Sequence, residues 1–139
     1  MYEALNIEFK SEHRLVISRP RGVADDRSAR ALLDFLLALE EVAEPFNRVA
    51  DMTLATEFFI STAAIKEYAE RRRQNLDHLA PFRAAIIAPS PDSQAAGHLY
   101  ATLMKGSKVD VGVFPDAASA AQWLGVPEDA LLLRNSRCD

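Results

Sequence analysis

The stretch Phe82-Arg83-Ala84-Ala85-Ile86-Ile87-Ala88 constrains the fold more than any other. Its apolar run lacks a polar face, as expected of a strand covered on both sides in a parallel sheet. Pro89-Ser90-Pro91-Asp92 follows at once. Ser90 suits a helix cap and Pro91 the first helical position. A buried strand that runs straight into a helix predicts βα units, and hence an α/β fold.

The rest of the chain keeps to that alternation. Leu5, Ile7 and Phe9 share one face of a first strand. Ser11-Glu12-His13 is a tight connection to Leu15, Val16 and Ile17, a second strand ended by Arg19-Pro20-Arg21-Gly22. These two should pair as an antiparallel hairpin. Asp25-Asp26 opens a helix with acidic groups near the positive end of its dipole, and Pro45 stops it near Val42 or Ala43. A third strand spans Phe46 to Met52, and Leu54 to Ser61 reads as a loop carrying Phe58 and Phe59. The second helix, Thr62 to Asn75, sets Ala64, Ile65, Tyr68, Ala69 and Arg72 on one side, with Lys66–Glu70 and Glu67–Arg71 pairs towards solvent. A third helix turns Ala95, Ala96, Leu99 and Leu103 inward, with Tyr100 a candidate for the same side, and ends at Gly106. Val109, Val111 and Val113 form the last strand, and Asp116 opens a helix that ends at Gly125.

The expected order is therefore β-β-α-β-α-β-α-β-α: one mostly parallel sheet of about five strands with one antiparallel edge strand. Residues 1–139 read as a single domain. Its tail, from about 126 to 139, either packs on the body as a short turn or docks on a partner.

The first helix is apolar over more than the usual stripe of about 100°. Phe35, Leu39, Leu32, Leu36, Leu33 and Val42 spread over well over half its wheel. The excess implies a second covered side, supplied by a neighbouring helix, a ligand or a second copy of the chain. The last alternative is a homodimer through helix 25–43.

A chain that is 49% hydrophobic and 26% charged has the material for one globular core. Its net charge of −4 argues against nucleic acid or an anionic membrane surface as partner. No apolar run approaches the roughly 20 residues of a membrane helix, and the amino end does not read as a signal peptide. The single cysteine, Cys138, forms no internal disulfide and points to a reducing cytoplasm.

Catalytic motifs are lacking. There is no nucleophile elbow, phosphate loop or dinucleotide fingerprint. His13, His78 and His98 have no metal-ligand spacing. The chain is thus read as a non-enzyme without cofactor or metal. Asp51, at the end of the third strand, either orients a ligand or holds Thr53 in an Asx turn. The run Arg71-Arg72-Arg73 complements a helix carboxyl end or meets an anionic partner. Phe58 and Phe59 are adjacent in an extended segment, so their rings must diverge and one can face a cleft.

Three segments in order carry a resemblance: Ile17 to Gly22 with its acidic helix start, Arg48-Val49-Ala50-Asp51-Met52-Thr53, and Val113-Phe114-Pro115-Asp116 through Trp123-Leu124. Together they resemble STAS-like domains, in particular a bacterial subfamily related to lipid-binding CRAL-TRIO domains. Phosphorylated antagonists of that family carry Asp-Ser-Ser-Gly before the second helix. Here the stretch is Phe59-Ile60-Ser61-Thr62-Ala63, without the acid or the glycine. Ser61 remains the candidate phosphorylation residue, and Ser61 and Thr62 equally suit a plain helix start.

The resemblance implies a regulatory or binding module. The first expectation is a protein partner in bacterial signalling, met by helix one, the Leu54 to Ser61 segment and helix two. The alternative is a small apolar, lipid-like ligand between helix one and Phe58-Phe59. The candidate binding residues are Asp51, Thr53, Phe58, Phe59, Ser61, Thr62 and Arg72.

Overall fold

A computed structural model describes residues 5–42 and 46–132. The elements are β1 (Glu8–Lys10), β2 (Leu15–Ser18), β3 (Gly22–Asp25), α1 (Asp26–Val42), β4 (Asn47–Asp51), β5 (Ala55–Phe59), α2 (Thr62–Gln74), β6 (Phe82–Ile87), α3 (Pro91–Leu103), β7 (Val109–Phe114) and α4 (Ala117–Leu124). Five strands form the main sheet in the order β1-β2-β4-β6-β7. β1 runs antiparallel to β2, and the other pairs are parallel. The expected sheet with one antiparallel edge is therefore present.

Two strands go beyond it. Leu54 to Ser61 is not a loop: β5 pairs parallel with β3 in a separate two-stranded sheet, with Ala24 opposite Phe58 and Asp25 opposite Phe59. Neither segment has the alternating pattern of a half-buried strand, so periodicity could not reveal a pairing made mostly by backbone. The first strand also begins at Glu8 rather than Leu5, although Leu5 is buried.

The helix signals act as expected. Ser90 caps α3 in a reciprocal capping box with Ser93, with Pro91 at the first position. Asp116 caps α4 by accepting the Ser119 N–H at 2.8 Å. Gly125 ends α4 at φ 76°, a left-handed conformation that costs glycine little.

The two faces of the main sheet are covered differently. One face packs Leu15, Ile17, Val49, Ala85 and Ile87 against Ala120, Ala121 and Leu124 of α4. The start of the tail closes this core: Glu128–Ala130 makes one 3-10 turn, and Ala130 and Leu131 are buried in it. Residues 133–139, with Cys138, lie outside the described residues, as do Ala43 and Pro45. The other face lies beneath α1, α2 and α3. There Gly97 of α3 comes so close that an added Cβ would stand 3.1 Å from Val113 and 3.6 Å from Ile86.

Leu131 should behave as a core residue despite its place near the end of the chain. Leu131→Ala is expected to cost about 2 to 5 kcal/mol, measured by urea denaturation. A loss below about 0.5 kcal/mol, the range of a surface substitution, would show that this turn does not belong to the core.

Candidate functional site

Small side chains leave the α1–α3 face of the sheet unfilled. Ser18, Ala50 and Ala84 occupy its central strands, with Ser18 opposite Ala50 and Ala84 opposite Arg48. α1 adds Ala29, α2 Ala64, and α3 Ser93, Ala96 and Gly97. Together they surround a cavity of about 130 Å³. Its larger wall residues are mostly apolar, among them Leu32, Phe35, Leu36, Met52, Phe58, Ile60 and Ile65. The broad apolar surface of α1 is thus explained within the chain, by the cavity and by packing on α2.

The cavity wall also carries Arg48 and Arg72. Glu40, 4% exposed in the last turn of α1, holds both. Its Oε2 accepts from Arg48 at 2.7 Å and its Oε1 from Arg72 at 2.6 Å. Arg48 also donates to the Phe46 carbonyl. The guanidiniums stand 4.8 and 5.9 Å from the centroid of the Phe82 ring. The Nε–H of each arginine finds no acceptor among the described residues. Tyr68 and Tyr100 line the same cavity and meet edge to face at 5.3 Å.

Burial sets the protonation states here. It lowers the Arg48 guanidinium, against the opposing pull of Glu40. Arg72 is pulled down by burial too, but its hydrogen bond to Glu40 and the neighbouring phenols outweigh this and raise it. Both phenols are pushed up, chiefly by burial, and stay neutral at physiological pH. Two guanidinium charges against one carboxylate leave the cluster one positive charge in surplus.

The sequence-derived candidates separate into four places. Phe58 and Arg72 meet in the cavity wall. Phe59 points the other way and is 64% exposed, as adjacent rings on one strand require. Asp51 lies elsewhere: it is buried, its Oδ1 accepts the Thr53 N–H at 3.0 Å and its Oδ2 accepts Arg19 Nε at 3.3 Å. Arg19, 1% exposed, also donates to Glu8 at 2.8 Å and to the Leu131 carbonyl at 2.7 Å, anchoring the final turn to the sheet. Burial would raise the Glu8 carboxyl, but hydrogen bonds from Arg19 and Lys10 hold it below its ordinary value.

Ser61 is the cap of α2, and Thr62 the exposed first residue behind it. Ser61 Oγ accepts the Ala64 N–H at 3.1 Å and donates to Asp26 Oδ2 at 2.9 Å, while its backbone N–H meets Asp26 Oδ1 at 2.7 Å. A phosphate on Ser61 would face this carboxylate, a repulsive arrangement. The basic run divides three ways: Arg71 lies 3.9 Å from Asp34, Arg72 is buried, and Arg73 donates to the carbonyls of Leu103 and Lys105 at the end of α3.

Sequence reasoning missed the roles of Arg19, Glu40 and Arg48 and the use of Tyr68 and Tyr100. Glu40 did leave a signal. It falls four residues after Leu36 and seven after Leu33, on the buried side of α1. Among the described residues, no three His, Cys, Asp or Glu side chains converge as a metal site. Likewise no helix is long and apolar enough to cross a membrane.

The architecture is similar to that of an uncharacterized protein of the DUF3478 family from Shewanella loihica PV-4, which has a SpoIIAA-like fold. The TM-score is 0.53 at 18% sequence identity, over 85% of this chain and 90% of that one. At this identity the likeness establishes the fold, which is STAS-like. No family model matches the chain, and no curated protein matches it.

Removing the carboxylate alone should be costly. Glu40→Gln is expected to lose about 3 to 5 kcal/mol, because two buried guanidiniums lose their counter-charge. Replacing Glu40, Arg48 and Arg72 together by Met should regain most of that loss. Urea denaturation of both variants checks this, and a Glu40→Gln loss below about 1 kcal/mol would contradict the buried triad.

Ser61→Ala should cost about 1 kcal/mol as a lost cap. Asp26 is held below its ordinary 3.8 by the hydrogen bonds from the Ser61 backbone and side chain. Its contribution is therefore full above that value and lost as pH falls through the lower folded one. Asp26→Asn should flatten the decline of stability below about pH 4. An unchanged acid profile would remove Asp26 from that role.

Proposed function

We propose that this chain is a non-enzymatic binding module that takes a small apolar ligand into the cavity beneath α1, α2 and α3. The cavity carries the reading. Protein interiors pack densely, with few voids larger than a water molecule. A hollow of about 130 Å³ is more than packing slack, and an apolar occupant would shield its wall from water. Phe58 in the wall supports the same reading, as does a STAS-like fold of regulatory and binding character. The lone cysteine fits a cytoplasmic setting.

A second reading, recognition of a protein partner, draws on one observation. Phe59 and Val23 are both exposed on the small sheet, where Val23 stands opposite Glu57, two residues from Phe59 on the same face. Such a pair suits a contact surface. Arg72 would not contribute to it, since its guanidinium is held by Glu40 inside the protein. Partner capture from the native host that survives Phe59→Ala would exclude this surface. Self-association through helix 25–43 has less support, because Val42 is the only strongly exposed large apolar residue among the described part of α1.

Ligand uptake is tested by thermal shift with benzyl alcohol and by native mass spectrometry of freshly purified protein. The wild type should be stabilised, and a small apolar adduct should accompany it. Ala50→Leu, which fills the floor of the cavity, should abolish both while the protein remains folded. Wild-type protein of clean mass that gains no stability from benzyl alcohol would contradict the reading.

A further inference from the structure

One side chain in the cavity wall does not suit a wholly apolar site. In β2, Leu15 and Ile17 pack in the core against α4. Successive side chains of a strand alternate, so Val16 and Ser18 turn the other way, and both line the cavity. Ser18 is 4% exposed, and its hydroxyl has no hydrogen-bond partner among the described residues. Ala50, opposite it on β4, offers none. The other buried polar side chains of the wall are engaged. Ser93 shares the capping box of α3 with Ser90. Arg48 and Arg72 direct their terminal N–H groups to Glu40, the Phe46 carbonyl and the Tyr100 hydroxyl. Their Nε–H groups are closed off from the cavity. Buried hydroxyls are rarely left unpaired, because keeping one from water without a partner is costly.

We propose that the ligand is a small alcohol or ketone, its one uncharged oxygen hydrogen-bonded to Ser18 and its apolar body filling the rest of the cavity. This assignment rests on the ligand-binding reading above and specifies the chemistry of the same site. Small-molecule pockets are mostly apolar, with a few polar groups that fix the ligand's orientation. Ser18 is such a group here, on the floor of the cavity beside Ala50. A serine hydroxyl both donates and accepts, so it serves a hydroxyl or a carbonyl equally. The oxygen is uncharged, because one hydroxyl cannot compensate a buried charge and the arginine donors are out of reach. Size narrows the class further. An apolar cavity of roughly 150 Å³ holds a benzene molecule, and the one here is about 130 Å³. The body is therefore near the size of one aromatic ring or a short alkyl chain. Tyr68 adds a second hydroxyl to the wall, but it is only half-buried.

Calorimetric titration with benzyl alcohol and with toluene, which lacks the hydroxyl, separates the two levels of the proposal. Each compound is titrated into wild-type protein and into Ser18→Ala. The substitution should weaken benzyl alcohol about three- to tenfold, the net value of one neutral hydrogen bond. Toluene should bind both proteins nearly equally, which also shows that the variant is folded. Ser18→Cys, whose thiol is a poor donor and acceptor, should give the same split and serves if Ser18→Ala does not fold. Affinities for the two compounds that change alike, or not at all, would overturn the Ser18 assignment and leave apolar binding standing. Wild-type protein that binds neither compound would overturn both.

Discussion

The carboxylate of Glu40 joins three elements that would otherwise meet only through apolar surface. It sits at the end of α1 and reaches Arg48 at the start of β4 and Arg72 near the end of α2. In water such pairs contribute little; inside a protein they oblige their partners to keep one geometry, because an unpaired charge there is costly. The same bonds fix the two arginines beside the cavity. The packing of three elements and the shape of the cavity wall therefore depend on one buried group, and loss of that group should disturb both.

The sheet shows why the cavity is on one side. Against α4 it presents Ile17, Val49 and Ile87, which meet small alanines on the helix and fill the space between. Against α1–α3 it presents Ser18, Ala50 and Ala84. Gly97 lets α3 come close to Val113, but the neighbouring helices rest on larger residues such as Leu36 and Ile65. Small floor residues and bulky walls leave volume that backbone geometry cannot remove. The cavity here arises from side-chain size on an ordinary sheet.

Much of this was legible in the sequence. The continuous apolar run at Phe82–Ala88, the Ser90-Pro91 and Asp116 helix starts, and the stop at Gly125 are local signals, and local signals do not depend on what lies across the fold. Phe58 and Phe59 were correctly read as diverging, though on a strand rather than a loop. What stayed hidden is non-local. β3 and β5 pair across 30 or more residues without a matching pattern. The apolar excess of α1 announced a second covered side without saying that a cavity lay beneath it. Arg72 was read as a binding residue and Arg48 only as part of a motif, with no sign that Glu40 joins them, and Asp51 found its partner in Arg19, 32 residues away.

The central claim is that the cavity beneath α1, α2 and α3 admits a small apolar ligand. The methyl resonances of Met52 and Ile65, both in its wall, report on occupancy directly. Both should shift on addition of benzyl alcohol, through the ring current of the bound aromatic. Resonances that stay in place at saturating benzyl alcohol would contradict the claim.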